Sequence, residues 1–165
     1  MRAYRTRGRT AMTTTTTGLL DALPPETRGR LLELARDVSF PARSRIFEEG
    51  HRADRFWIIR TGSVALDLHV PGRQPAVVET LGPGDLLGCS WLFPPYSWHL
   101  GARTQSPVRA DEFDATVVRA LCEADPVFGR AVARRVAQIV AHRLQGARTR
   151  LLDLYGPLGS ASTAR

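Results

Sequence analysis

Six short strand-like runs, most of them separated by turns that contain glycine, occupy the middle of this chain and restrict its fold more than any other feature. They lie at 46–47, 56–59, 64–70, 77–81, 98–104 and 108–113. Each run has the length of a strand, and many short strands at regular spacing close into a sandwich or barrel that leaves few free edges. The predicted fold class is therefore mainly β with flanking helices.

Helices are predicted on both sides of this β region. Leu23-Pro-Pro-Glu26 precedes a short amphipathic helix, because proline in the first turn and an early acid favour a helix start. Asp114 is expected to cap a helix through Cys122, and Asp125 before a proline to cap a second one over 127–155. About 28 helical residues span roughly 42 Å, which is longer than a small barrel can cover. The predicted domain is 19–155, with the barrel at about 40–113 and the C-terminal helices at 114–155.

The long helix carries an apolar seam with spacings of three or four residues, close to that of a two-helix interface. One part of the seam is expected to pack on the barrel and the rest on a second copy, as a parallel homodimer. The alternative is that the whole stripe folds back onto its own domain. Six arginines of this helix are read as lying off the seam, in solvent. The predicted dimer seam is Val136, Val140, Leu144, Ala147 and Leu151.

Charge and composition indicate a cytoplasmic protein without a metal centre. The net charge of +7 depends partly on arginines in residues 1–18, a low-complexity tail predicted to be disordered, and Met12 is an alternative start. Residues 156–165 are predicted to be a flexible tail. No signal peptide or membrane-spanning run is present. The two cysteines share no metal-like spacing with each other or with the histidines.

The loop at 82–104 has the frame of a phosphate-binding turn. Gly62 and Gly82 are expected to adopt positive φ, whereas Gly84 and Gly88 would let backbone amides approach an anion. A short helical turn over 89–93 would add free amides at the same place. The alternative is that these glycines only shape turns. Between Gly84 and Gly101 the loop carries no arginine and one acid, Asp85, which is expected to cap the following turn.

The order of helix, eight-stranded barrel, glycine-rich loop and long C-terminal helix resembles the cyclic nucleotide-binding domain of the catabolite activator (Crp/Fnr) family, over roughly 19–155. Four segments carry the resemblance: IFEEG at 46–50, FWIIRTGSV at 56–64, LGPGDLLG at 81–88 and ART at 102–104. The resemblance implies a jelly-roll β-barrel, a dimerisation helix and a cyclic nucleotide effector, with no other cofactor. It also implies the ligand-binding loop residues Gly84, Leu86, Leu87, Gly88, Cys89, Ser90, Tyr96, Ser97, His99 and Arg103.

The loop departs from the family pattern at its two charged positions. The family places a glutamate on the ribose and an arginine on the phosphate, and those positions correspond here to Cys89 and Tyr96, while Ser97 matches the hydroxyl residue that follows. The base-facing positions on the helix correspond to Ala147 and Arg148. A charge-assisted hydrogen bond contributes about 1.5–3 kcal/mol. Two lost partners would therefore weaken nucleotide binding by about 10²- to 10⁴-fold.

The functional hypotheses follow from this mixed pattern. The first is a stand-alone regulatory sensor whose ligand, a cyclic nucleotide or related small anion, closes the 82–104 loop against the long helix. The second is a degenerate receptor that acts as a dimeric protein-interaction module, and the third is transcriptional regulation through a protein partner. Direct DNA binding is not expected, since no helix-turn-helix follows the long helix. Catalysis is not expected either: Cys89 is read as an inert part of a pocket wall and Glu79 as a solvent-facing residue.

The aromatic residues near the loop allow two interpretations. The loop combines four aromatic residues with two prolines, a composition typical of a stiff, packed lid. The aromatic residues are Trp91, Phe93, Tyr96 and Trp98. The alternative is a platform on which a base stacks. The lid is the favoured interpretation.

Overall fold

The computed structural model describes residues 18–156. The tails predicted at 1–18 and 156–165 lie outside these residues except for one residue of each, and Met12 lies outside them too. The described part contains eight strands, in chain order β1 Arg36–Phe40, β2 Arg45–Phe47, β3 Arg55–Thr61, β4 Val64–Leu68, β5 Ala76–Leu81, β6 Leu86–Leu87, β7 Gly101–Thr104 and β8 Val108–Asp114. Three helices flank them, α1 Pro25–Leu32, α2 Ala115–Ala124 and α3 Pro126–Tyr155.

The strands form two four-stranded sheets, ordered β1-β8-β3-β6 and β2-β7-β4-β5, and all pairs are antiparallel. The apolar run of β3 is buried at four successive positions, 56–59, because this strand lies between β8 and β6 inside the molecule. Phe56 stacks on Phe113 across the β3–β8 pair and on Trp91 from the loop beyond β6. The mainly β class with flanking helices is confirmed.

Both C-terminal helices begin where the aspartates predicted them. The Asp114 carboxylate accepts hydrogen bonds from the backbone amides of Thr116 and Val117. The Asp125 carboxylate accepts from the amides of the first turn of α3, directly after it, and Pro126 is the first residue of that helix. An acceptor at the cap satisfies amides that have no partner inside the helix, so each aspartate fixes a helix start.

Helix α3 changes its surroundings along its length. Its first half packs on the domain through Phe128, Val132, Val136 and Ile139, all buried. Beyond residue 143 the apolar residues are exposed: Leu144 by 53%, Leu151 by 54% and Leu154 by 78%. The seam is therefore divided between a half that is buried against the domain and a half whose leucines are mostly exposed.

The structure departs from the sequence prediction at several strands and turns. Strands β1 and β6 were not predicted, and β1 begins at Arg36, ahead of the expected start of the barrel near residue 40. The strand expected at 98–104 is shorter, because Trp98 pairs by its backbone with the 50–51 turn instead. Gly82 does not adopt positive φ, whereas Gly62, Gly84 and Gly88 do. The Gly82 amide donates instead to the Asp85 carboxylate, at 2.8 Å, which closes this turn.

Candidate functional site

A cavity of about 330 Å³ lies between the β2–β7–β4–β5 sheet, the segment after β6, and the second half of α3. Most of the side chains that line it are apolar, and its polar groups come from three places: β5, the 89–99 loop and α3. A largely apolar cavity with a few converging polar groups is the usual form of a small-molecule site. The lining residues are Phe47, Leu66, Val78, Glu79, Gly88, Cys89, Ser90, Trp98, His99, Leu100, Val140, Arg143, Leu144, Ala147 and Arg150.

Gly88 brings the backbone of the loop against an aromatic wall. Its φ is +92°, and a Cβ at this position would lie 2.7 Å from Cη2 of Trp98. Trp98 is held in place in turn, because its ring stacks on Phe47 with centroids 4.0 Å apart. Glycine is therefore required here for two reasons, the left-handed backbone and the close approach of the indole.

Arg143 ties the loop to helix α3. Its guanidinium donates to the carbonyl oxygen of Leu86 and to Sγ of Cys89, the latter at 3.4 Å. Its Nε lies 3.7 Å from a carboxylate oxygen of Glu79, and only 17% of the Arg143 side chain is exposed. One helix residue thus contacts β5, β6 and the start of the loop.

Glu79 and Arg143 were both expected in solvent, and for both the expectation was wrong. Glu79 lies in the middle of β5 and points its carboxylate at the helix, with 25% of its side chain exposed. The reason is the contact with Arg143, which offers the carboxylate a charged partner. A half-buried acid is retained at low cost when such a partner is present.

Cys89 is a half-buried thiol next to Arg143. Its partial burial raises its pKa, the neighbouring Arg143 guanidinium lowers it, and Glu79 raises it again, with a net increase above the ordinary value. A raised pKa disfavours the thiolate, which is the reactive form of cysteine. Cys89 therefore offers the cavity a weakly polar thiol rather than a reactive thiolate.

Two more polar features complete the site. Oγ of Ser90 lies 3.2 Å from Nδ1 of His99, so the two ends of the loop meet at the cavity. Arg150, two turns beyond Arg143 on α3, donates to the carbonyl oxygen of Val78 at 2.6 Å and to that of Gly146 at 3.3 Å.

The structure brings several of the residues that the sequence singled out to this one cavity, among them three of the seam. These are Gly88, Cys89, Ser90, His99, Val140, Leu144 and Ala147. The remaining candidates lie elsewhere. Gly84 forms the turn before β6, Leu86 and Leu87 are buried in β6, and Val136 is buried under α3. Arg148 and Leu151 are exposed on α3 away from the lining.

The candidates with phosphate-binding chemistry are also outside the cavity. The ring of Tyr96 lies under the guanidinium of Arg119, 4.3 Å away. Ser97 forms an isolated bridge with Arg52. Arg103 is exposed on β7 and lines a second cavity, of about 390 Å³, with Arg43 and Arg45. Strand alternation explains this: neighbouring Ala102 is buried, so Arg103 points to the other face.

Three polar residues of the cavity were missed as site residues: Glu79, Arg143 and Arg150. The sequence did contain a pattern that identifies the two arginines. One helical face, with spacings of four and three, passes through Val136, Val140, Arg143, Ala147 and Arg150. An arginine on an otherwise apolar face indicates a cavity or a partner on that side.

The aromatic residues of the loop are mainly structural. Trp91 is fully buried and stacks on Phe56 with centroids 4.2 Å apart, whereas Phe93 is 51% exposed. Trp98 alone among the loop aromatics lines the cavity.

Two features of other functional classes, a metal cluster and a membrane-spanning helix, are absent from the described residues. Over 18–156, no cluster of three or more histidine, cysteine or acidic side chains is arranged to hold a metal ion. None of the helices in that range is long and apolar enough to cross a membrane.

Comparison with known proteins gives a consistent result. The chain is 26% identical over 137 residues to the CRP-like cAMP-activated global transcriptional regulator of Mycobacterium tuberculosis, which covers 83% of this chain and 59% of the regulator. The chain thus spans less than two thirds of this relative. The catabolite activator protein of Thermus thermophilus superposes with a TM-score of 0.67 at 25% identity, covering 83% of this chain and 62% of that one.

A cyclic nucleotide-binding domain from Methylobacillus flagellatus superposes with a TM-score of 0.73, covering 87% of this chain and 83% of that one; at 17% identity it supports the fold alone. The family model described as the cyclic nucleotide-binding domain matches residues 37–125, more than half of the chain. The chain therefore belongs to the cyclic nucleotide-binding domain family, the family of the catabolite activator-like regulators that it resembles.

Proposed function

We propose that this protein is a regulatory sensor module that binds a small anion, with cyclic nucleotides as the first candidates, between the 88–100 segment and α3. The observation that carries the proposal is the cavity itself: one wall is the loop and the opposite wall is the helix. A ligand held there contacts both at once. Binding would then close the loop against α3 and change what the helix presents to a partner.

The proposed module acts as a homodimer through α3. The second half of this helix exposes Leu151, Leu154 and Tyr155 by more than half of their surface. A contiguous exposed apolar stripe on a long helix favours burial against another surface, and a second copy supplies the same stripe in a parallel arrangement. The regulated target is a protein partner of this dimer.

One observation favours the alternative of a degenerate receptor. Arg143 already joins the loop to α3 through Leu86, Cys89 and Glu79. If this contact alone closes the site, the module needs no ligand and serves as a fixed dimeric surface for protein interaction.

Calorimetric titration with cyclic AMP and cyclic GMP up to millimolar concentration separates the two. The sensor hypothesis predicts that the wild type binds nucleotide. Ala147→Trp should lose binding, because the new side chain fills the cavity, whereas Ala141→Trp should keep it. Ala141 is an exposed alanine of the same helix that does not line the cavity. If folded wild-type protein gives no heat of binding, both nucleotides are excluded as ligands and the degenerate receptor is favoured.

Hydrogen exchange tests the closing mechanism separately. Ligand binding is expected to slow amide exchange in both the 88–100 segment and the second half of α3, because the ligand contacts both. Slower exchange in the loop alone would contradict coupling to the helix.

A further inference from the structure

The charges that line the cavity do not balance. Its only acidic lining residue is Glu79, whereas α3 contributes two guanidinium groups, Arg143 and Arg150. The neighbouring loop contributes no carboxylate or guanidinium group to the lining. A net positive cavity with apolar walls is suited to a ligand that brings a negative charge and an apolar surface.

Arg143 is the compensated member of this pair. It is the residue that faces Glu79, and its two terminal nitrogens also donate to the Cys89 sulfur and the Leu86 carbonyl. An anion that drew Arg143 away from Glu79 would leave a half-buried carboxylate without a cation. That exchange offers little net gain, since an unpaired buried carboxylate is costly.

Arg150 is held in position but not neutralised. Its Nη1 and Nε donate to the backbone carbonyls of Val78 and Gly146. Carbonyl dipoles orient a guanidinium without cancelling its charge. Among residues 18–156, Arg150 forms no ion pair with a carboxylate, including that of Asp153 one turn further along the helix. Its Nη2 makes no hydrogen bond to the described residues.

We infer that Arg150 is the charge partner of the ligand and that the ligand class is an amphipathic monoanion, with an apolar or aromatic body and one negative charge. The inference rests on the proposed function, because it concerns the same cavity. The apolar body would lie against Phe47, Leu66 and Leu100, and the charge would meet the guanidinium on α3. Among the described lining residues, Arg150 is the guanidinium without a carboxylate partner, which suits a ligand with one negative charge.

Two fluorescent probes that share an apolar body test the assignment. The anionic probe is 1-anilinonaphthalene-8-sulfonate and the neutral one is N-phenyl-1-naphthylamine. Losing a charge-assisted hydrogen bond lowers affinity by about tenfold or more. Arg150→Gln is therefore expected to weaken binding of the sulfonate by about tenfold while leaving that of the neutral amine unchanged. Arg134→Gln, at an exposed arginine of the same helix outside the lining, is the matched control and should leave both unchanged.

The possible results separate this inference from the proposed function. If Ala147→Trp abolishes binding of both probes but Arg150→Gln leaves sulfonate affinity intact, the cavity is a ligand site and the role of Arg150 is wrong. An equal loss in Arg134→Gln also overturns that role, because it indicates a general effect of charge. If Ala147→Trp affects neither probe, or the wild type binds neither, the cavity site fails and the proposed function fails with it. Circular dichroism of each variant confirms that it is folded.

Discussion

Substituting Gly88 by alanine tests the geometry of the cavity wall directly. Two penalties act at this position. The residue has a φ of +92°, which an L side chain rarely adopts, and the new Cβ would lie 2.7 Å from Cη2 and 2.8 Å from Cζ3 of Trp98. Trp98 has little room to withdraw, because it is 4% exposed and stacked on Phe47.

The expected destabilisation is the sum of a backbone and a packing contribution. A left-handed backbone costs a residue with a Cβ about 1–2 kcal/mol relative to glycine. Inserting a methyl group into a packed region costs about 1–3 kcal/mol, because neighbouring side chains leave their preferred rotamers. Gly88→Ala should therefore reduce the free energy of unfolding by about 2–5 kcal/mol.

Gly84→Ala is the matched control, since it removes the packing contribution and keeps the backbone one. Gly84 has a φ of +87°, and a Cβ there would meet no atom within 4 Å. Urea denaturation followed by circular dichroism gives both free energies of unfolding. The difference between the two variants is expected to be about 1–3 kcal/mol. Equal destabilisation of both variants would refute the contact between Gly88 and Trp98 as a constraint on the cavity.

Three further predictions concern other parts of the molecule. Gly101→Ala places a Cβ 2.5 Å from Oδ1 of Asp67 and 2.8 Å from Nη1 of Arg45. It should therefore disrupt the Arg45–Asp67 ion pair and lower the free energy of unfolding in urea by about 1–3 kcal/mol. An unchanged urea midpoint would show that the ion pair is not confined by Gly101. Leu151→Asp, which leaves the cavity lining intact, should convert the proposed dimer to a monomer by light scattering, and an unchanged mass would count against the exposed stripe as the interface. The hydrogen bond from Arg30 lowers the pKa of Asp125, as do the amides of Phe128 and Val127. The ionised Asp125 carboxylate therefore contributes its full stabilisation above the ordinary carboxyl pKa, and this stabilisation is lost as pH falls through the lowered pKa. The melting temperature of Asp125→Asn should fall less than that of the wild type on acidification, whereas parallel curves would show that Asp125 does not carry this acid sensitivity.

Local signals in the sequence were sufficient for the framework of the fold. Short apolar runs predicted β3, β4, β5 and β8, the first three of them followed by a glycine turn, and an aspartate before a proline predicted the start of α3. These signals act within a few residues of where they appear, so one sequence reveals them.

Strands β1 and β6 were missed because their stability is not local. Arg36–Phe40 carries arginine, aspartate and serine, and becomes a strand by pairing with β8, more than sixty residues later in the chain. Leu86–Leu87 is a two-residue strand that pairs with β3. Neither segment has enough periodicity of its own to indicate a strand, since pairing with a distant partner decides its conformation.

Only part of the candidate site was predicted, because local sequence signals identify the residues of the loop but not their partners from distant segments. Gly88, Cys89, Ser90 and His99 are close in sequence, so a loop motif identifies them together. The partners Glu79 and Arg143 are sixty-four positions apart and are brought together only when α3 packs along β5. Which arginine of α3 faces the cavity depends on the helix rotation, and packing of the buried half sets that rotation.

The absence of arginine between Gly84 and Gly101 does not leave the cavity without cationic groups, because α3 supplies them. Whether the cationic groups lie on the loop or on the helix affects how a sensor of this kind would signal. An arginine in the loop would make the loop the first segment to respond to an anion. Here Arg143 holds the loop through its own contacts, whereas Arg150 lies close to the exposed residues that form the proposed dimer stripe. An anion bound to Arg150 would therefore act directly on the helix next to that stripe, as well as on the loop that closes against it.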